Sequence, residues 1–410
     1  MHPSNLVVGL DIGTTKICAL VVRREGGRLD SVLGLGVVPS DGLRKGMVVN
    51  MESTISAVQK AVEQAEAAAG AEINAVYTGI AGGHIKSMNS RGGVTLRPGS
   101  EVTRADVDRV VDASQAVTIP VDREVIHVLP REFVLDGRRG IQDPVGMCGQ
   151  KLEVDVHIVT AAVASAQNII KCVNRAGFAV EDIVLQPLAS AEAVVTPDER
   201  RLGVCLVDLG GGTTDIAVFV GGSVRHTEVL ALGGDHITND LAVGLRCSVA
   251  DAEDVKRRYG CAARSLVDEE ETLTVCQTGG GSRELRSAAL CEIIEPRVEE
   301  TLSIIRHELE RAGLIDLLGS GVVLTGGGSR LSGMAEMAEW HLGLPVRVGS
   351  PAWDGLPCEE ELTHPAFATV VGLVRHGLRT SGNGRPGSLG GLELFRKVKD
   401  RMTSWLHDLA

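Results

Sequence analysis

The chain has 410 residues, enough for two or more domains, and 44% of them are hydrophobic. Aromatics make up only 2% and the formal net charge is −12. That balance argues against bulk nucleic-acid binding and leaves Val, Leu, Ile and Ala to build the core. The nine cysteines are scattered, mostly in apolar runs, with no CxxC pair. They read as buried free thiols rather than a disulfide framework or a zinc site. The N-terminal MHPSNLVVGLDIG lacks the basic region and long apolar run of a signal peptide. No run of ~18 uncharged apolar residues is present to span a bilayer.

In chain order, Val7–Leu10 and Ile17–Val22 flank the tight turn 11-DIGTTK-16 and read as a hairpin. Asn50 is placed to cap a helix whose Ile55, Val58, Val62, Ala65 and Ala69 share one face and which Gly70 closes. Ala75–Ile80 reads as a buried strand. Residues 84–159 are charged, turn-rich and full of short strand patterns such as 153-EVDVHIV-159, the mark of a separate small α+β module. A helix over 166–176, a strand over 183–185 and an Ala-rich helix over 188–195 lead to a second hairpin, 203-GVCLVDLGGGTTDIAVFV-220. The polar stretch 236–312 predicts helices and little else, the last with Ile294, Val298, Leu302, Ile305 and Leu309 in register. Then 321-GVVLTGGGSRLSGM-334 predicts a strand, a glycine turn and a helix start. The Gly-, Ser- and Pro-rich 380–391 reads as a flexible linker. Its formal GxGxxG (Gly382, Gly384, Gly387) follows no strand of a βαβ unit and is a chance match.

The two hairpins carry the chemistry. A turn of Gly and Thr presents backbone N–H groups and hydroxyls with no side chains in the way, as close approach to phosphate requires. The aspartate before each turn, Asp11 or Asp208, supplies hard oxygen at a strand end. Together they suit a Mg²⁺ held partly through water. Lys16 adds positive charge for the phosphates. No GxxxxGK[ST] occurs, so this is not a P-loop enzyme. Two Asp-x-Gly turns with Thr-Thr, about 200 residues apart, suggest two related domains facing across a cleft. The third turn, Gly326-Gly327-Gly328, suits backbone contact with a nucleoside.

With these motifs the chain resembles the actin-like ATPase superfamily. DIGTTK (Gly13, Thr14, Thr15, Lys16) matches its first phosphate loop, DLGGGTTDIAVF (Gly210, Gly211, Gly212, Thr213, Thr214) its second, and VVLTGGGSRLSGM its adenosine loop. Its connecting helices match 186-QPLASAEAVV-195 and 365-PAFATVVGLV-374. The resemblance spans the chain. It implies an α/β, actin-like two-domain fold of duplicated ribonuclease-H-like domains, with ATP and Mg²⁺ between them. Gln186 matches the position that orients the attacking water, so Gln186, Asp11 and Asp208 form the expected catalytic set, and Lys256 matches a position near the adenosine. Hydrolysis is expected to be slow and secondary to an adaptor role.

Within the superfamily, KLEVDVHIVTA at the end of the inserted module, 233-GGDHITNDLAVGL-245, AEDVKRRYG and 292-EIIEPRVEE-300 are similar to the FtsA family of bacterial cell-division proteins. That resemblance divides the chain into subdomain 1A (1–83 and 160–202), inserted 1C (84–159), 2A (203–244 and 313–364), 2B (245–312), a return helix (365–379), the linker 380–391 and a terminal helix (392–410). It implies that 2B takes the C-terminal peptide of FtsZ, with Arg297 the residue placed for that contact. It also implies self-assembly into filaments and contacts of 1C with other division proteins. A solvated helix charge is the plain alternative for Arg297.

The last segment, GLELFRKVKDRMTSWLHDLA, places Leu392, Phe395, Val398, Met402, Trp405, Leu406 and Leu409 on one broad helical face, with Arg396, Lys397, Lys399 and Arg401 among the other positions. Too charged to span, it suits the surface of an anionic membrane. The expected location is the cytoplasmic face of the cell membrane at the division septum. Two alternatives stay open: an actin-fold adaptor of type IV pilus assembly like PilM, and an actin-fold small-molecule kinase, for which Asp215 is the candidate base.

Overall fold

The computed structural model describes residues 5–25, 28–267, 271–278, 280–353 and 360–382. The chain opens with β1 (Leu6–Ile12), β2 (Lys16–Glu25), β3 (Arg28–Pro39), the short pair β4 (Leu43–Arg44) and β5 (Met47–Val48), helix α1 (Met51–Ala69) and β6 (Ala75–Ile80). An insertion follows: β7 (Lys86–Thr95), α2 (Arg104–Ser114), β8 (Arg123–Leu135), β9 (Arg138–Ile141) and β10 (Lys151–Ala162). Helix α3 (Val163–Arg175), β11 (Ala179–Leu185), α4 (Gln186–Val194) and α5 (Pro197–Leu202) complete the first half. The second half contains β12 (Val204–Leu209), β13 (Thr214–Val220), β14 (Ser223–Leu230), α6 (Gly234–Leu245), α7 (Val249–Tyr259), β15 (Thr272–Cys276), β16 (Ser282–Arg286), α8 (Ser287–Arg311), β17 (Val322–Thr325), α9 (Met334–Leu342), β18 (Val346–Val348) and α10 (Ala368–Gly382).

The halves repeat one topology. The first sheet has the order β11-β6-β1-β2-β3 and the second β14-β13-β12-β17-β18. In each, an antiparallel three-strand meander is extended on the side of its first strand by strands that run parallel. The all-apolar strands suit this arrangement because helices cover the sheet faces. Helix α1 shows how local sequence stops a helix: the Asn50 side chain accepts from Ser53 N, and Gly70 closes the other end at φ 60°. A third core lies between the halves. There Val7, Leu20 and Val22 of the first sheet and Val204, Leu206 and Phe219 of the second pack with Ala191 of α4 and Val370 and Val371 of α10.

The insertion is a unit of its own, a sheet of order β7-β10-β8-β9 with α2 against it. Its core draws on Val107, Val110, Phe133, Leu152, Val154, Val156 and Ile158. Helix α2 begins with a reciprocal Thr103–Asp106 capping box.

Two expectations need correction. The stretch 236–312 is not helical throughout, because β15 and β16 pair as a hairpin within it. The alternation of apolar and polar residues in Thr272–Cys276, with Leu273 and Val275 buried, is the signal that the composition of the segment obscured. Nor are all the thiols buried: Cys148 and Cys276 are exposed. The last helix, α8, does bury Ile294, Val298, Leu302, Ile305 and Leu309. Each such side chain contributes roughly 1.5–3 kcal/mol, enough to hold the long helix on the second core. The amphipathic segment 392–410 and most of the linker lie outside the described residues.

Candidate nucleotide site

The two hairpins close with the same backbone bond. Gly13 N donates to Lys16 O at 3.0 Å, and Gly210 N to Thr213 O at 2.9 Å. Each half then braces its turn. Gly46 N donates to Thr14 Oγ1 at 3.1 Å in the first. In the second, the first amides of α6 are spent on the turn: Gly234 N reaches Gly210 O at 2.9 Å and Asp235 N reaches Gly211 O at 2.8 Å. Lys256 secures that helix start, donating to Gly234 O at 3.1 Å and Thr238 Oγ1 at 2.8 Å.

The turns meet across the halves. A Cβ on Gly211 would fall 2.2 Å from Thr15 Cγ2, and one on Gly212 would fall 2.6 Å from Thr14 Oγ1. Only glycine permits that approach. The third turn arrives beside them. Gly326 has φ +80°, and a Cβ there would lie 2.3 Å from Asp208 Oδ1, so both its conformation and its position exclude a side chain. Its neighbour Gly327 faces more open space, with Ala366 Cβ the nearest atom at 3.9 Å from an added Cβ. Gly328 packs against Leu209. Lys16 reaches across to the segment before α10, donating to Ala366 O at 2.6 Å with its ammonium 3.9 Å from the Phe367 ring centroid.

Three carboxylates are buried behind these turns: Asp11, Asp208 and Asp215. Asp11 Oδ1 accepts from Gln186 Nε2 at 3.1 Å, at the first residue of α4. Asp208 Oδ2 accepts from Ser190 Oγ at 2.6 Å and Thr369 Oγ1 at 3.3 Å, so α4 and α10 both hold it. Asp215 Oδ2 accepts from Thr213 Oγ1 at 3.0 Å, while Oδ1 is buried with no partner. Burial pushes the Asp11 carboxyl up to about 6, with Lys16 pulling down and Asp208 pushing up. Burial also raises Asp208, against the pull of Ser190, Thr369 and Lys16. Burial raises Asp215 well above the ordinary carboxylate range, helped by Asp208 and Asp11 and opposed by Thr213. Three such acids facing one lysine form a site short of positive charge. An orphaned carboxylate oxygen in that setting fits a hard divalent cation, whose oxygen ligands these are.

The structure therefore brings together Asp11, the turn Gly13–Lys16, Gln186, Asp208, the turn Gly210–Thr214, Lys256 and Gly326–Gly328. Sequence reasoning weighed Asp215 only as a kinase base and passed over Ser190 and Thr369. Ser190 sits one turn after Gln186 between two alanines, and Thr369 sits near the start of α10 before two valines, so both were visible as polar residues among apolar neighbours. Arg297 lies elsewhere, on α8. It donates to Asp240 of α6 at 2.6 Å and 3.2 Å and pairs with Glu300. Among the described residues no helix is long and apolar enough to cross a membrane.

Duplicated sheets, paired glycine turns and buried acids define a two-domain protein of the actin-like class. Solved structures agree on the fold. The PilM–PilN type IV pilus biogenesis complex matches with a TM-score of 0.67 at 19% identity, over 91% of this chain and 98% of that one. MreB5 of Spiroplasma citri bound to ADP matches with 0.58 at 13% identity, over 94% and 100%. Family models narrow the class: "Cell division protein FtsA" matches residues 205–372, and "SHS2 domain inserted in FTSA" matches 82–160, the insertion described above. The cell division protein FtsA of Pseudomonas aeruginosa is 47% identical over 413 residues, covering 99% of this chain and 98% of the relative. That of Escherichia coli K12 is 38% identical, covering 98% and 96%, and that of Bacillus subtilis is 38% identical, covering 93% and 85%. The chain belongs to the FtsA family of cell division proteins. The pilus-adaptor alternative shares the fold alone.

Proposed function

We propose that this chain is an ATP-binding, filament-forming adaptor that tethers FtsZ filaments to the cytoplasmic face of the cell membrane at the division septum. The observation that carries the nucleotide part is the meeting of Gly211 and Gly212 with Thr15 and Thr14 beside three buried acids. Amides and hydroxyls of the two turns would take the phosphates, and the Gly326–Gly328 turn the nucleoside, with Lys256 bracing the α6 start beside them. Asp11 and Asp208, with Asp215 next to them, fit Mg²⁺, which when bound would neutralise phosphate charge. Gln186, held by Asp11 at 3.1 Å, is a polar group suited to orient a water without acting as a strong base. Slow turnover agrees with its being an amide. Lys16 is positioned by Ala366 and Phe367 to add charge.

The adaptor part rests on family membership and on the tail. Subdomain 2B (245–312) would receive the FtsZ C-terminal peptide, with Arg297 at the contact. Its ion pair with Asp240 would then have to open or be shared. Inserted 1C (84–159) would face other division proteins. The segment 392–410 would lie on anionic lipid, each basic residue near the surface adding about 1 kcal/mol. Filament formation would multiply weak tails into firm attachment. Deleting 392–410 should release the protein from anionic liposomes while Mg²⁺-ATP binding survives. Unchanged flotation of the truncated chain would sink the anchor. A pull-down with the FtsZ C-terminal peptide tests the partner, and a chain that transfers phosphate rapidly to a small molecule but ignores the peptide would favour the kinase.

A further inference from the structure

The insertion and the second half touch along β14. His157 of β10 makes the join, with Nδ1 2.8 Å from Asn89 Oδ1 and Nε2 2.9 Å from Thr227 Oγ1. Ser87 Oγ donates to Thr227 O at 2.8 Å beside it. Next to this join lies a half-open cavity of about 240 Å³, lined by Asn89, Arg131, Arg225, His226 and Arg311 among others. Its three arginines come from three elements: β8 of the insertion, β14, and the end of α8.

The arginines are not alike. Arg311 is matched by Glu308, one turn back on the same helix. Arg131 Nε and Arg225 Nε are buried and have no hydrogen-bond partner, and His226 Nε2 is in the same condition. The acids that bear on Arg131 are Asp155 and Glu132. Both are taken, Asp155 by Arg91 at 3.5 Å and Glu132 by Arg139 at 3.6 Å. Burial lowers the Arg131 pKa, and Arg225 lowers it further. Two like charges with idle donors beside a cavity are costly unless something negative joins them.

A cation is the less fitting occupant. His226, Glu228 and Glu308 do bring ligand atoms within 4.8 Å of one another. Glu308, however, already serves Arg311, and burial and Glu308 raise the Glu228 carboxyl toward its neutral form. Burial keeps His226 below its ordinary pKa, so it is neutral near pH 7 and has one ring N–H to give.

We propose that this cavity is an oxyanion site that takes one phosphate-class group, held by the guanidinium groups of Arg131 and Arg225 with His226 and Arg311 around it. Guanidinium forks suit phosphate oxygens, and such charge-assisted bonds are about twice as strong as neutral ones. Because its ligands come from both sides of the join, the bound anion ties the inserted module to the second half. The source is either free phosphate or a phosphate ester on a larger molecule. The reading is independent of the nucleotide site.

The test is calorimetric titration and thermal shift on the full chain, with inorganic phosphate, glycerol phosphate or acetate at constant ionic strength. Wild type should bind phosphate saturably, and Arg131→Met with Arg225→Met should weaken that binding by roughly tenfold or more. Tighter binding of the ester than of free phosphate would identify an ester as the source. Without anion, Arg131→Met alone should leave the melting temperature equal or higher, because it relieves repulsion. A purely structural arginine would instead lower it. Phosphate binding that survives in the double variant, absence of binding in wild type, or binding of acetate only would each overturn the proposal.

Discussion

The first-half hairpin around Gly13 and the second-half hairpin around Gly210 share strand pairing, turn closure and a buried aspartate, yet their surroundings differ. Asp11 is held by one amide, that of Gln186, and lies near the lysine of the pair, Lys16. Asp208 is held by two hydroxyls, Ser190 and Thr369, and lies near a second acid, Asp215, whose Oδ1 has no partner. Duplication kept the backbone device and divided the charges. Neither half is a balanced site alone. The contact between turns is what pools the lysine of one with the surplus acids of the other.

The contact is the first thing to break. Gly211→Val would drive a branched side chain into Thr15, and overpacking of this kind costs roughly 1–3 kcal/mol, or about 5–150-fold in nucleotide affinity. Thr15→Gly in the same chain should recover part of the loss, because it removes the atom 2.2 Å from the added Cβ. Titration with an ATP analogue reads both. Equal loss with and without Thr15→Gly would show that the two turns do not act on each other.

The charge division makes a prediction of similar size. The Asp11 carboxyl has its folded pKa raised from 3.8 to about 6. The corresponding stability is fully present below about pH 4 and is lost as pH rises through about 6, a change of about 3 kcal/mol. Melting curves without divalent cations should therefore fall across that window in wild type and flatten in Asp11→Asn. Mg²⁺ with nucleotide should restore stability above pH 6 in wild type and do so poorly in the variant. A parallel pH profile for the two chains would remove Asp11 as the source.

The hydroxyl clamp on Asp208 tests single hydrogen bonds rather than the contact between the two turns. Ser190→Ala removes a 2.6 Å bond to a buried carboxylate, costing about 1.5–3 kcal/mol. Thr369→Val removes a 3.3 Å bond and should cost about 1 kcal/mol or less. Urea unfolding orders them. A larger effect from Thr369→Val would reverse the assignment of α4 as the main support of Asp208.

Both glycine hairpins, the α1 caps, the buried face of α8 and the inserted module were legible in the sequence. Strand period, turn chemistry and helix capping act over a few residues and leave a local trace. The β15–β16 hairpin was harder, because its alternation is short and sits in a polar, helix-rich stretch. The tail keeps its amphipathic pattern, legible only as sequence.

Sequence by itself determined that Asp11 and Asp208 each lie near the end of a buried strand ahead of a turn of glycine and threonine. It also marked the two turns as relatives. Tertiary structure decided that Thr15 rests on Gly211, that Ser190 and Thr369 from two distant helices share one carboxylate, and that Arg297 pairs with Asp240. It also decided that Arg131 and Arg225, almost a hundred residues apart, face one cavity with idle donors. The physical reason is range. Backbone sterics and hydrogen bonds of turns are settled within a few residues, whereas these partners meet only after two sheets have packed around α4 and α10.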